Sequence, residues 1–312
     1  MRALIFGGGG QIGRAVAQDL AHAGWQVDAV TRSPHLVIPV VTPLAPARSR
    51  AAHVARGYDA VIDTVAFTAA DAADLLAEPA GHFTVISTAS VYADDQGRGF
   101  ELRDNGFPHY PDPLDEGQAL VPPGPGYSAG KVAMEAALAD RAAILRPGAI
   151  HGIGARHPRE WWFVKRALDG RRVVPLALGG RSVFHTSSTI GIASLARHLA
   201  DRRITGLFNV ANPVALSVAQ IATAIGTVMG HRLDLTCNDI GHTPFSVDHP
   251  VRLSTARARA TGWDGGPDYA ACLPAYVAWL VSHADDWQTA FPVFQQYGHN
   301  PFDYPAEDAA LA

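Results

Sequence analysis

Ala3-Leu-Ile-Phe-Gly-Gly-Gly-Gly-Gln-Ile-Gly13 sets a short apolar run against four glycines near the start of the chain. From Gln11 to Ala23 the apolar residues Ile12, Val16 and Leu20 recur at the spacing of one helix face, and Gly24 ends the run. Trp25–Thr31 reads as a second strand. Strand, glycine-rich turn, helix and strand together make the opening of a βαβ unit. Within the turn, Gly8, Gly10 and Gly13 satisfy GxGxxG, while Gly7, Gly10 and Gly13 satisfy GxxGxxG. Either spacing permits a tight turn and close approach of the backbone to a pyrophosphate. The helix beginning near Gln11 then aims its N-terminal amides at that anion. Gly7, Gly10, Gln11, Ile12 and Gly13 are therefore candidate dinucleotide-binding residues.

Further apolar runs follow at Val37–Val41, within Asp59–Phe67, at Phe83–Ser87 and at Ala143–Leu145, the last stopped by Arg146-Pro147-Gly148. Their alternation with helix-like stretches predicts a Rossmann-type α/β fold, a doubly wound parallel sheet covered on both faces, with a smaller C-terminal lobe. Asp94–Gly126 is rich in Pro, Gly and Asp and reads as one long loop; Tyr127–Arg141 reads as a helix. Beyond residue 150 the pattern loosens. Trp161–Leu168, Thr189–Ala200 and Ser217–Met229 read as helices, with Ser217 as N-cap and Gly230 as stop, and Phe208–Val210 reads as a strand. The expected division is a dinucleotide-binding domain over 1–155 and a mainly substrate-binding lobe over 156–312, some segments of which return to the sheet. The Pro-broken tail, 295–312, is expected to be peripheral and poorly ordered.

The 312 residues are 48% hydrophobic and 17% charged, ordinary for a globular enzyme, with a net charge of −4. That charge provides no basic field for nucleic acid. No 18-residue apolar run implies a membrane span. The two cysteines, Cys237 and Cys272, lie outside any CxxC and read as free thiols of a reducing compartment. Together with a start that runs straight into a strand rather than a signal peptide, this points to the cytoplasm. The fourteen histidines show no HxH or HExxH spacing, so no metal site is expected. The remaining partner class is a small-molecule substrate.

The chain has only two lysines, Lys131 and Lys165, against 23 arginines. One of them stands four residues after Tyr127, where positions i and i+4 share a helix face. A phenol is a poor acid at neutral pH until a cation lowers its pKa, and the ammonium is a compact charge that also donates to hydroxyls. At roughly 5 Å and an effective dielectric near 20, it favours phenolate by about 3 kcal/mol, or about two pKa units. Thr84-Val-Ile-Ser-Thr-Ala-Ser-Val-Tyr92 adds hydroxyls just past a buried strand, and in open α/β sheets ligands bind at the carboxyl ends of strands.

These segments resemble the extended short-chain dehydrogenase/reductase family, the NAD(P)-dependent epimerase/dehydratase group. The likeness rests on GxxGxxG at Gly7–Gly13, the Asp59-Ala-Val-Ile-Asp63 strand and Ser87-Thr-x-x-Val-Tyr92. It continues through Tyr127-x-x-x-Lys131-x-x-x-Glu135 and Leu145-Arg-Pro-Gly-Ala-Ile-His-Gly152. The resemblance implies Tyr127 as general acid/base and Thr88 as the hydroxyl that orients the reacting oxygen. It also implies Lys131 on the nicotinamide ribose, Pro147 beside the cofactor, and a homodimer formed through a helix pair that includes Tyr127–Arg141. The chain departs from the family pattern at Phe6, where Thr is frequent, and at Ala93, where Gly is frequent. It also lacks the strand-end acid of NAD-type members: Asp28 falls inside the second strand, and the strand ends at Thr31-Arg32-Ser33. Arg32 suits a 2′-phosphate, which favours NADP over NAD. Ser90, Tyr92, His151, Trp161 and His185 are candidate substrate contacts. Two functional readings follow: a hydride-transferring enzyme, or a non-catalytic NADP-binding redox sensor.

Overall fold

The computed structural model describes residues 1–32, 38, 41–101, 106–236 and 243–311. Its strands are β1 (Arg2–Phe6), β2 (Gln26–Val30), β3 (Val41–Leu44), β4 (Ala60–Asp63), β5 (Phe83–Ile86), β6 (Ala143–Pro147), β7 (Ala149–His151), β8 (Val173–Pro175), β9 (Thr186–Ser188), β10 (Gly206–Val210) and β11 (Asp234–Thr236). Its helices are α1 (Gln11–His22), α2 (Ala51–Val54), α3 (Ala69–Leu75), α4 (Tyr127–Leu138), α5 (Trp161–Leu168), α6 (Thr189–Arg202), α7 (Val218–Met229), α8 (Ala256–Ala260), α9 (Tyr269–Val281), α10 (Trp287–Ala290) and α11 (Tyr304–Leu311).

Seven strands form one sheet in the order β10-β6-β5-β4-β1-β2-β3, with every neighbouring pair parallel. The expected doubly wound α/β fold is what the chain adopts. β4, β5 and β6 are buried along their whole length because helices cover both faces. On one face Ile12, Val16 and Leu20 of α1 pack with Ile192, Leu195 and Leu199 of α6. On the other, Leu75 of α3 packs with Met134 and Leu138 of α4. The strand order reverses beside β1, whose neighbours are β2 and β4. The carboxyl ends of β1 and β4 therefore flank the crevice where ligands bind in such sheets.

Local signals set several boundaries. Ser217 caps α7 in a reciprocal box with Gln220, and Gly230 ends it at φ +62°. β3 begins at Val41, and the rest of the apolar run Val37–Val41, apart from residue 38, lies outside the described residues, as does Cys237. Helix α3, unannounced by apolar periodicity, starts with a capping box between Thr68 and Asp71. A separate apolar cluster joins Trp161, Trp162 and Phe163 of α5 to Ile221 of α7, Leu273 of α9 and Phe294. The tail differs from expectation: its last segment is helix α11, docked on α5. Glu307 pairs with the buried Arg166, Asp308 pairs with Arg171 at 2.7 Å, and the Tyr304 hydroxyl donates to Asp169 at 2.5 Å. Aromatic Phe302 joins the same cluster, which is the physical reason the segment orders. No helix among the described residues is long and apolar enough to cross a membrane.

Candidate active site

The glycine turn leaves β1 and enters α1 in a conformation that side chains would not permit. Gly7 sits at φ +81°, and a Cβ at Gly13 would overlap the carbonyl oxygen of Gly7. The turn opens onto a cavity of about 960 Å3 lined by Gly7, Gly10, Gln11, Ile12 and Arg32, five of the expected cofactor residues. Gly13 lies beneath the turn. Pro147 is buried at the end of β6, paired with Val210, and is not part of the cavity lining. Asp28 faces elsewhere: it accepts from the Tyr58 hydroxyl at 2.7 Å and pairs with Arg2 at 3.3 Å. Arg48, Arg50 and Arg156, which no motif announces, also line the cavity. Arg50 is neutralised by Asp63 (2.6 Å) and Asp71 (2.7 Å), whereas Arg32, Arg48 and Arg156 are exposed. Size, a glycine cradle at a helix N-terminus and spare cations fit a dinucleotide.

The residues of the Tyr/Lys motif converge beside this crevice. Asp63, at the end of β4, accepts from the amides of Val65 (2.8 Å) and Ala66 (2.7 Å) and so shapes the loop after the strand. Lys131 reaches into that loop, donating to the carbonyls of Ala66 (2.7 Å) and Ile86 (2.8 Å). It is 5% exposed, and burial pushes its pKa down to about 8, against the pull of Asp63, Glu135 and Asp71. Thr88 follows β5. Its hydroxyl accepts from the Ser90 amide (3.1 Å) and donates to the Ser90 hydroxyl (3.2 Å), capping a one-turn 3-10 helix. Tyr127 is the first residue of α4, 44% exposed, with its ring stacked on Phe67 at 5.7 Å.

Desolvation raises the Tyr127 pKa above the usual 10, the Thr88 hydroxyl pulls it down and the Glu101 carboxylate pushes it up. The ammonium is committed to two carbonyls and stands 5.9 Å from the Tyr127 ring centroid. Glu101 escaped the sequence reading. It comes from the long loop, accepts from the Ser128 amide at 2.8 Å, and so ties that loop to the N-terminus of α4.

Beneath the site runs a buried polar chain. Glu135 accepts from Ser87 (2.5 Å) and from Arg146 (3.0 and 2.5 Å), and Arg146 lies 4.9 Å from the Tyr92 ring centroid. The Tyr92 hydroxyl donates to Asn209 at 2.6 Å. This placement alters the expected substrate contacts. Tyr92, Trp161 and His151 are each 0% exposed and His185 is 5% exposed, so all four are interior. His151 bonds Asn212 at 2.9 Å and packs on Tyr269, and His185 bonds the Asn212 carbonyl at 2.8 Å. Only Ser90 of that group keeps partial exposure, next to Thr88.

No protein-family model matches the chain, and no curated protein matches it. Solved structures do. A candidate epimerase from Burkholderia cenocepacia J2315 is 20% identical with TM-score 0.71, over 90% of this chain and 98% of that one. The UDP-glucose 4-epimerase of Thermus thermophilus, solved in complex with NAD, is 19% identical with TM-score 0.66, over 90% and 99%. TunA, an NAD-dependent NDP-hexosamine 5,6-dehydratase of tunicamycin biosynthesis, is 19% identical with TM-score 0.68, over 91% and 99%. The seven-stranded parallel sheet is the fold that these epimerase and dehydratase structures share with the chain.

Proposed function

We propose that the chain is an NAD(P)-dependent enzyme that acts at a secondary alcohol or ketone of a sugar-like or secondary-metabolite small molecule, with outcome reduction, epimerisation or dehydration. The observation that carries this reading is the convergence of Thr88, Tyr127 and Lys131 at the carboxyl ends of β4 and β5, beside the glycine-lined cavity. Gly7, Gly10, Gln11 and Ile12 would hold the pyrophosphate, and Lys131 the nicotinamide ribose. Arg32 and Arg48 would hold a 2′-phosphate, which favours NADP over NAD. When bound, the dinucleotide supplies the hydride donor or acceptor. Tyr127 enters protonated, because its pKa lies above the usual value, and so is set to give its proton to an oxygen that gains electrons. Thr88 orients that oxygen and favours the phenolate left behind. Lys131 keeps the loop after β4 fixed to the end of β5, so the two hydroxyls hold their spacing. Phe67, stacked on Tyr127, limits the phenol to one approach.

The neighbours' names make nucleotide sugars the first substrates to try. Purified chain loaded with NADP or NAD, given a panel of nucleotide sugars, should show reduced-nicotinamide absorbance or an epimerised or dehydrated product by NMR. Binding of either dinucleotide without hydride transfer across the panel, in both directions, would favour the sensor reading instead.

A further inference from the structure

Helix α4, which begins at Tyr127, carries no cap of its own. Gly126 stands where a capping side chain would be, at φ +109° and ψ 171°. That backbone region is closed to residues with a Cβ, so Ser, Thr, Asp or Asn could not take the position. The first turn holds no acidic residue either. Helices α3, α6, α7 and α9 differ, each being capped by the side chain just before it, Thr68, Ser188, Ser217 and Asp268. In α4 the Gly130 amide is the first to close a helical bond, to the Gly126 carbonyl at 3.1 Å. The Ser128 amide, second in the helix, must find its acceptor outside.

That acceptor comes from the long loop, 27 residues upstream. Glu101 Oε2 takes the Ser128 amide at 2.8 Å. A Cβ on Gly126 would stand 3.1 Å from the same oxygen, so the carboxylate occupies the place that a local cap would fill. The loop is anchored on both sides of this contact. Phe100 stacks on Phe184 at 5.1 Å and meets the edge of Phe107 at 5.6 Å. Gly99 lies so close to Val121 that a Cβ there would meet its Cγ1 at 2.7 Å. The Val121 amide in turn bonds the carbonyl of Val91 at 2.8 Å, three residues past Thr88. The loop is thus fixed to the segment bearing Thr88 and delivers its carboxylate to the helix bearing Tyr127.

We propose that Glu101 is a positioning residue, which caps α4 from the loop and so holds the Tyr127 phenol at its working distance from Thr88. Helix ends fray, and Tyr127 is the end residue of this one. A frayed first turn would carry the phenol away from Thr88. Glu101 opposes that with a hydrogen bond to an orphan amide and a negative charge at the positive end of the helix. The inference rests on reading the chain as an NAD(P)-dependent enzyme with Tyr127 as its acid, and it adds the residue that keeps that acid in place.

The test compares the full wild-type chain with Glu101→Ala, which removes the acceptor, and Glu101→Gln, which keeps an acceptor oxygen and loses the charge. Amide hydrogen exchange over residues 127–131 reads the first turn of α4 without any substrate. Turnover is read on the pH plateau below the alkaline limb, so that the effect of the charge on the phenol does not enter. Glu101→Ala should speed exchange in that segment by about 3- to 30-fold and lower kcat by about 10-fold, with KM and NADP affinity within about twofold of wild type. Glu101→Gln should restore most of both losses. Wild-type exchange or wild-type kcat in Glu101→Ala overturns the inference, as does an equal loss in the two variants, which would assign the effect to charge alone. A change confined to KM marks Glu101 as a substrate contact, and faster exchange spread evenly over the chain marks it as structural; each overturns the inference too. The enzyme reading fails separately, through absent hydride transfer in the wild-type chain.

Discussion

Lys131 is bonded to the carbonyls of Ala66 and Ile86 and stands 5.9 Å from the ring of Tyr127, so the motif's two polar groups share a helix face without bonding each other. The lysine joins the ends of two strands. Lys131→Met should therefore destabilise the fold by about 1–3 kcal/mol, because two buried carbonyls lose their donor, and it should weaken dinucleotide binding at the same time. Denaturant unfolding and cofactor titration measure the two effects. Lys131→Arg should restore little, since the guanidinium fork does not fit a slot built for a compact ammonium.

Tyr127 is poised between Thr88 and Glu101, which act on its pKa in opposite directions. A group that works as an acid loses activity as pH rises through its pKa. Thr88→Val removes the hydroxyl that favours phenolate, so the alkaline limb of the pH–rate profile should move to higher pH, with lower turnover at every pH. Glu101→Gln removes a negative charge, so the same limb should move to lower pH. Movement of both limbs in one direction would contradict this arrangement.

His82 and His157 are each held by burial at a pKa of about 4, below the usual 6.5. The folded chain keeps them neutral while the unfolded chain protonates them. Stability should thus be fully present above pH 6.5 and fall as pH drops from 6.5 to 4, by about 1.4 kcal/mol per pH unit for each histidine. Thermal unfolding across that window measures the slope, and His82→Asn should flatten it.

Glu135 and Arg146 form a buried pair, with Ser87 as a third member. Glu135→Ala should cost about 3–5 kcal/mol by leaving Arg146 buried and unpaired, whereas Glu135→Leu combined with Arg146→Met should recover most of that loss. Urea unfolding of the three chains decides the matter.

The fold was legible in the sequence wherever a periodic pattern met a terminus signal. Ile12, Val16 and Leu20 after the glycine turn mark α1, the expected Trp161–Leu168 helix is α5, and Ser217 and Gly230 frame α7. Helix α3 was not legible, because its Ala-rich run lacks an apolar stripe and its Thr68–Asp71 box was the one available signal. Of the candidate site, glycines and hydroxyls at fixed spacing could be read. Arg48 and Glu101 could not, since their relevance arises only when distant loops meet. Residue type likewise does not tell which way a side chain faces. Trp161, His151 and His185 are aromatic or polar residues near the expected lobe, yet apolar packing and Asn212 claim them for the interior.

The most direct measurement replaces Tyr127 by Phe, a change that deletes one hydroxyl and keeps the stack on Phe67. NADP affinity should stay within about threefold of wild type, while hydride transfer on the best nucleotide-sugar or secondary-alcohol probe should fall by about 10²- to 10⁴-fold. Unchanged turnover in Tyr127→Phe would contradict the assignment of Tyr127 as the acid/base of the site.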